Sequence, residues 1–162
     1  MAQTDLAELY ARSAPRARSL AYLLTGDREV ADDLVQDCFV RLAGRLTPVR
    51  EPDAYLRRMV VNASHSHHRR LRTRRSNARQ EALVIGADGD SFSDGAAARA
   101  ERSRLLDALD ALPGRQREAV VLRHWLDLSE AQCAEALGVS VGTVKSLASR
   151  GRAALRSLLE DS

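Results

Sequence analysis

Between Ser129 and Leu155 the chain spells out two short helices with their start and stop signals included. Ser129 followed three residues later by Gln132 has the form of a capping box, in which each side chain serves the other residue's backbone N–H. Gly138 then offers the left-handed turn that other residues resist. Ser140 caps a second helix, whose apolar positions Val144, Ala148, Gly151 and Leu155 recur at steps of three and four. A capped helix, a glycine turn and a second capped helix are the parts of a helix-turn-helix. In the first helix Ala131, Cys133, Ala134 and Leu137 are the expected inward positions.

The rest of the chain reads as helix too, and the expected fold class is all-α. Aromatic residues make up 4% of the 162 residues, so Leu, Val and Ala must fill the core. A first helix is expected from a Thr4 cap to Gly26, bent or split by Pro15. Asp27 caps a second, with Val30, Ala31, Leu34, Val35, Cys38, Phe39 and Leu42 as its apolar stripe. TPVREP (47–52) is a loop by its prolines, and Pro52 opens a third helix with Tyr55, Leu56, Met59, Val60 and Ala63 inward. Helices resume near Glu101, with Leu105, Ala108, Leu109 and Leu112. After Pro113 the next carries Ala119, Val120, Val121, Leu122 and Trp125.

Charge divides the chain further. Residues 1–64 and 101–162 each carry nine basic and nine acidic side chains, whereas residues 65–79 carry six arginines and no acid. Residues 85–98, IGADGDSFSDGAAA, are small, acidic and glycine-bearing. They read as a flexible linker, which divides the chain into 1–75, a linker over 76–100, and 101–162. Two units of that size are marginal alone. The spacing of Asp88, Asp90 and Asp94 resembles a calcium loop, but Phe92 and Ser93 stand where an oxygen ligand and a glycine are needed.

Cys38 and Cys133 lie far apart in helical patterns, so a disulfide scaffold is excluded and a reducing compartment expected. MAQTDLAELY has neither a basic nor an apolar signal region, and no apolar run approaches a bilayer span. A cytoplasmic protein without membrane contact is the expectation. No nucleophile triad, phosphate loop or carboxylate pair stands out, so no catalytic residue and no cofactor are assigned. Among the histidines, helical spacing brings only His65 and His68 to one side, and no metal site is assigned.

Two faces carry the chemistry that remains. The last helix turns Thr143, Lys145 (the chain's only lysine), Ser146, Ser149 and Arg150 away from its apolar stripe, and Ser140 sits at its start. Arg and Lys bond guanine edges or phosphates, and Ser and Thr serve either role. Arg69, Arg70, Arg72, Arg74, Arg75 and Arg79 would neutralise phosphates. In the second helix, Asp32, Asp33, Gln36, Asp37 and Arg41 lie opposite the stripe, and read from the residues alone they are a solvated face.

At this point the chain resembles a known family. ADDLVQDCFVRL (31–42) is similar to region 2 of bacterial sigma factors. LPGRQREAVVLRHWLDLSEAQCAEALGVSVGTVKSLASRGRAAL (112–155) is similar to their region 4. Order and spacing resemble the extracytoplasmic-function (ECF) group, which keeps only these two regions. The resemblance implies a sigma factor that guides core RNA polymerase to promoter DNA and helps melt it. It reassigns Asp32, Asp33, Gln36, Asp37 and Arg41 to docking on the β′ clamp helices, with Asp37 where relatives usually carry glutamate. It implies that the 47–55 loop, with Arg50 and Tyr55, then Asn62, Arg69, Arg70 and Arg72, capture the minus-ten element. Ser66 stands where aspartate is usual. The last helix, with Ser140, Thr143, Lys145, Ser146, Leu147, Ser149 and Arg150, is implied to read the minus-thirty-five element while region 4 rests on the β flap. Leu147 stands where relatives often carry Arg or Gln; an apolar side chain there meets a thymine methyl but cannot read guanine. The linker is implied to thread toward the RNA exit channel. An anti-sigma factor is a further implied partner. The other reading is a free-standing helix-turn-helix regulator, since LuxR-type output domains share the SVGTVKS style; such proteins pair two half-sites by dimer symmetry. An enzyme built on the histidine cluster would lack ligands.

Overall fold

The computed structural model describes residues 3–45, 49–77 and 95–161. Seven α-helices and no strand occur among them. They are α1 (Gln3–Thr25), α2 (Arg28–Ala43), α3 (Pro52–Asn77), α4 (Ala96–Ala111), α5 (Gly114–Val120), α6 (Glu130–Leu137) and α7 (Val141–Glu160). The helix of α5 continues as a π-helical turn over Val121–Trp125, closed by a bond from Leu126 N–H to the Val121 carbonyl at 3.1 Å.

The first half is a three-helix unit in which α1 packs on α2 and α3. Gly26 breaks α1 with φ +76°, and the Asp27 carboxylate then accepts from the N–H groups of Glu29 and Val30 to start α2. Of the α2 stripe, Ala31, Val35, Cys38, Phe39 and Leu42 are buried, while Val30 and Leu34 are half-buried. Two expectations for α1 are corrected. The helix starts at Gln3, so Thr4 lies inside it, and Pro15 neither ends nor splits it. Pro15 is exposed, so the hydrogen bond it removes lies on the face where water takes its place.

Burial on α3 is wider than one stripe. Leu56 and Val60 are buried as expected, and so are Val61 and Ser64. The helix packs on α1 and α2 on one side and on α6 on another, so a second strip of side chains leaves water. The two halves therefore pack on each other, with α1 also meeting α4 and the π turn.

Helices reach into both ends of the stretch read as a linker over 76–100. Ser76 and Asn77 belong to α3, and α4 begins at Ala96 rather than near Glu101. Alanine is the strongest helix former, so Ala96, Ala97 and Ala98 extend the helix once Gly95 is passed. Residues 78–94, with Arg79 and the Asp88, Asp90, Asp94 spacing, lie outside the described residues, as does the Leu46–Pro48 part of the first loop.

In the second half α7 packs on α5, and α4 and α6 flank it. Gly151 is the closest approach. A Cβ there would meet Val120 Cγ2 at 2.6 Å and the Gln116 carbonyl oxygen at 2.9 Å. The side chain can yield but the backbone oxygen cannot, so Gly151→Ala is expected to destabilise the protein by about 1–3 kcal/mol. Urea unfolding of the variant checks this.

Candidate nucleic-acid interface

The helix-turn-helix forms with the caps expected of it. Gln132 N–H donates to Ser129 Oγ at 3.1 Å, and Ser129 N–H donates to Gln132 Oε1 at 2.9 Å. Gly138 takes φ +69°, and its N–H and that of Val139 both close on the Ala134 carbonyl. Ser140 Oγ accepts from Thr143 N–H at 3.1 Å and shares a hydrogen bond with the Thr143 hydroxyl at 2.9 Å. Those caps fix the start of α7 and its rotation.

That rotation buries Val144, Gly151 and Leu155 and leaves Ser140, Thr143, Lys145, Ser146, Ser149 and Arg150 exposed on the outer side. Leu147 is half-buried and packs against the core, so only part of it faces outward with them. In α6 one expectation is exchanged for another: Ala131 is exposed and Ala136 is buried. Cys133 and Leu137 are buried as expected, and Ala134 is half-buried.

Lys145 Nζ lies 3.6 Å from Glu130 Oε2, with its side chain 63% exposed. An exposed pair of this kind contributes at most about 1 kcal/mol, so Lys145 can exchange the carboxylate for another anion. Arg123, His124, Arg152 and Arg156 line a groove with Lys145 and Ser149. The sequence pattern does not single out these four as candidates. The signal was present, because Arg152 and Arg156 follow Lys145 and Ser149 by seven residues, two helical turns along one face.

On the first half, Asp32, Asp33, Gln36, Asp37 and Arg41 are all exposed on α2. Asp32 Oδ1 is 3.7 Å from Arg18 Nε. Val40, 65% exposed, sits among them, outside the apolar stripe. The minus-ten candidates fall into two places. Tyr55 is half-buried, its ring under Arg45 with the guanidinium 4.5 Å from the centroid, and Arg45 also donates to its hydroxyl. Arg50 is exposed, five residues before it in the chain. Asn62, Arg69, Arg70 and Arg72 are exposed along α3, where Asn62, Ser66 and Arg69 share one face by spacing. Arg74 is exposed beyond them, and Arg75 belongs to the same helix.

His65 and His68 join the two halves, and no group of three His, Cys, Asp or Glu side chains that could hold a metal occurs among the described residues. His65 Nδ1 lies 2.9 Å from Glu118 Oε1, and Arg115 Nη1 donates to the other oxygen at 3.0 Å. His68 contacts the Leu24 carbonyl through Nε2, with Nδ1 4.0 Å from Asp110. Burial holds the His68 pKa below its ordinary 6.5, against the opposing pull of the Leu24 carbonyl. Burial acts the same way on His67 and His124. The folded state thus favours neutral imidazole, while the unfolded chain takes up protons as pH falls through about 6.5, so acid draws the protein toward unfolding. We expect the urea midpoint to fall between neutral pH and about pH 5.5, and to fall less in His68→Gln.

The cysteines are buried and unpaired, and burial pushes the Cys38 thiol up to about 11. Neither is poised as a nucleophile. No helix among the described residues is long and apolar enough to cross a membrane.

Comparison with known proteins agrees with this geometry. Residues 9–75 match the Sigma-70 region 2 family and residues 102–155 the Sigma-70 region 4 family. An RNA polymerase sigma-E factor of Streptomyces avermitilis is 38% identical over 153 residues, covering 90% of this chain and 82% of that protein. The ECF RNA polymerase sigma factor EcfG of Rhodopseudomonas palustris is 32% identical over 155 residues, covering 91% and 81%. Among solved structures, CnrH in complex with the cytosolic domain of CnrY superposes with TM-score 0.73 at 27% identity, covering 99% of this chain and 91% of that one. The region 2 match favours this reading over a free-standing helix-turn-helix regulator, which accounts for the second half alone. The chain belongs to the ECF sigma factors of bacterial RNA polymerase.

Proposed function

We propose that this sigma factor grips promoter DNA at two points while docked on core RNA polymerase, each contact made by a separate exposed face. The observation that carries the reading is the rotation of α7, which buries Val144 and Gly151 while Lys145, Ser146, Ser149 and Arg150 stand outward. In this reading these residues, with Ser140, Thr143 and the exposed part of Leu147, read the minus-thirty-five element. Arg50, Tyr55, Asn62, Arg69, Arg70 and Arg72 engage the minus-ten element. The α2 face of Asp32, Asp33, Gln36, Asp37 and Arg41 meets the β′ clamp helices, and region 4 rests on the β flap. The chain is an initiation factor with no chemistry of its own, and it works in the cytoplasm beside the polymerase. CnrH was solved with the cytosolic domain of CnrY, and a sigma factor RpoE of Bartonella quintana with the anti-sigma factor NepR. An anti-sigma factor is accordingly a partner to seek here.

The reading face is tested by promoter affinity of the holoenzyme. Lys145→Ala and Arg150→Ala are each expected to weaken minus-thirty-five binding by about 1–3 kcal/mol where the side chain bonds a base. Fluorescence anisotropy with a labelled promoter reads the change, and unaltered affinity in both variants would show that another face of α7 meets DNA.

A further inference from the structure

A cavity of about 360 Å³ opens at the seam between the two halves, away from the α7 and α2 faces. Arg12, Arg16 and Arg57 line it from α1 and α3, and Leu126 and Gln132 close it from the second half. Leu20 and Leu56 in its wall are buried. A concave site with an apolar wall, a few convergent polar groups and a position between two structural units is the usual form of a small-molecule site.

Its charge says what kind of molecule. Asp53 is already occupied: Arg12 Nη2 lies 3.2 Å from its Oδ2, and the Ser13 hydroxyl donates to its other oxygen. That pair cancels. Arg16 spends one N–H on the neutral Leu126 carbonyl at 2.9 Å and has no carboxylate partner among the described residues. Arg57 Nε is buried with no hydrogen-bond partner among the described residues. A buried guanidinium donor without an acceptor is costly, and such a group in a polar cavity calls for an anion or water. Two surplus positive charges on planar forks suit a doubly negative tetrahedral oxyanion, which arginine recognises bidentately.

We propose that the seam cavity binds a small phosphate-bearing molecule through Arg16 and Arg57. Both halves line the site, so an occupant favours their packed arrangement over any in which they separate. If the two-point grip described above requires the halves to part, occupancy opposes it; that consequence rests on the proposed function, whereas the binding itself does not.

Isothermal titration of the full chain tests the proposal, with inorganic phosphate, pyrophosphate and a nucleoside diphosphate as separate probes. Expected is one site per chain for at least one probe, weakened tenfold or more by Arg57→Gln and by Arg16→Gln. Arg150→Gln, on the far basic face, should leave it unchanged. Inorganic phosphate or pyrophosphate binding as tightly as the nucleotide would assign the site to the free oxyanion; binding of the nucleotide alone would assign it to an ester. Circular dichroism separates lost binding from lost fold, and the exposed Arg16 supplies a variant that removes no buried group. Absence of binding by all three probes at millimolar concentration would overturn the proposal. So would binding that survives both seam variants, or that falls equally in Arg150→Gln, the mark of diffuse attraction to a basic surface. No polymerase or promoter enters the titration, so its failure leaves the sigma-factor reading untouched.

Discussion

Reversing the charge at Asp33 and Asp37 together is expected to abolish binding to core RNA polymerase while leaving the fold intact. Both side chains stand in solvent on α2 and support no buried contact. Surface substitutions of that kind usually change stability by less than about 0.5 kcal/mol. At a docked surface the same changes set like charges against the partner, which costs several kcal/mol. At about 1.4 kcal/mol per decade, loss of 3 kcal/mol or more is a hundredfold weakening or greater. Val40, exposed among these residues, gives the face an apolar centre within a polar rim, as interfaces have and solvated helix faces need not. Co-purification with core polymerase reads the result, with circular dichroism to show that α2 persists. Normal binding by the folded variant would return this face to solvent.

The largest expected loss of stability is at Arg117. Its guanidinium is buried and donates from Nε to the Leu109 carbonyl at 2.7 Å, and from Nη2 to the carbonyls of Asp110 at 3.0 Å and Leu112 at 2.8 Å. These are carbonyls at the C-terminal end of α4, of which Leu109 also accepts from Leu112 N–H at 3.1 Å, and no basic residue of the helix's own last turn serves them. One fork from α5 therefore closes α4 and fixes the corner between the helices. Arg117→Ala deletes three charge-assisted bonds, two of them buried, and takes this donor from the buried Leu112 carbonyl, for an expected cost of about 3–5 kcal/mol. Arg117→Lys keeps the charge but not the fork, and is expected to recover only part of the loss. Urea unfolding measures both. A loss under about 1 kcal/mol in Arg117→Ala would mean that water or a neighbour caps α4 equally well.

Arg117 also shows where the chain is legible as sequence and where it is not. Local signals carried through. Asp27, Ser129 and Ser140 cap the helices they precede, and Gly26 and Gly138 take the left-handed backbone at the ends they mark. Each depends on a few neighbouring residues, so spacing alone reveals it. The acidic face of α2 and the basic face of α7 are likewise turned outward as periodicity implies. Features that depend on which helix faces which were invisible. Arginine and glutamate read as surface, yet Arg117 and Glu118 are buried because α5 is enclosed and each finds partners there. Val61 and Ser64 are buried because α3 has neighbours on two sides. Trp125 was expected with the apolar residues of its helix, but it is 44% exposed. There the backbone has widened to a π turn, and the extra residue per turn rotates the next side chains out of the α-helical register. The Glu118–His65 contact joins residues far apart in the chain, so the histidines could not be assigned to the seam until the halves were seen together.

As a sigma factor, this chain is expected to lend promoter specificity to a polymerase that lacks it. The direct measurement is in vitro transcription by sigma-free core RNA polymerase on a library of promoter fragments, with and without the protein. A stable complex with core is expected, with transcripts starting at a discrete set of promoters only when the protein is present. No core binding and no initiation, with DNA binding by the protein alone, would contradict it.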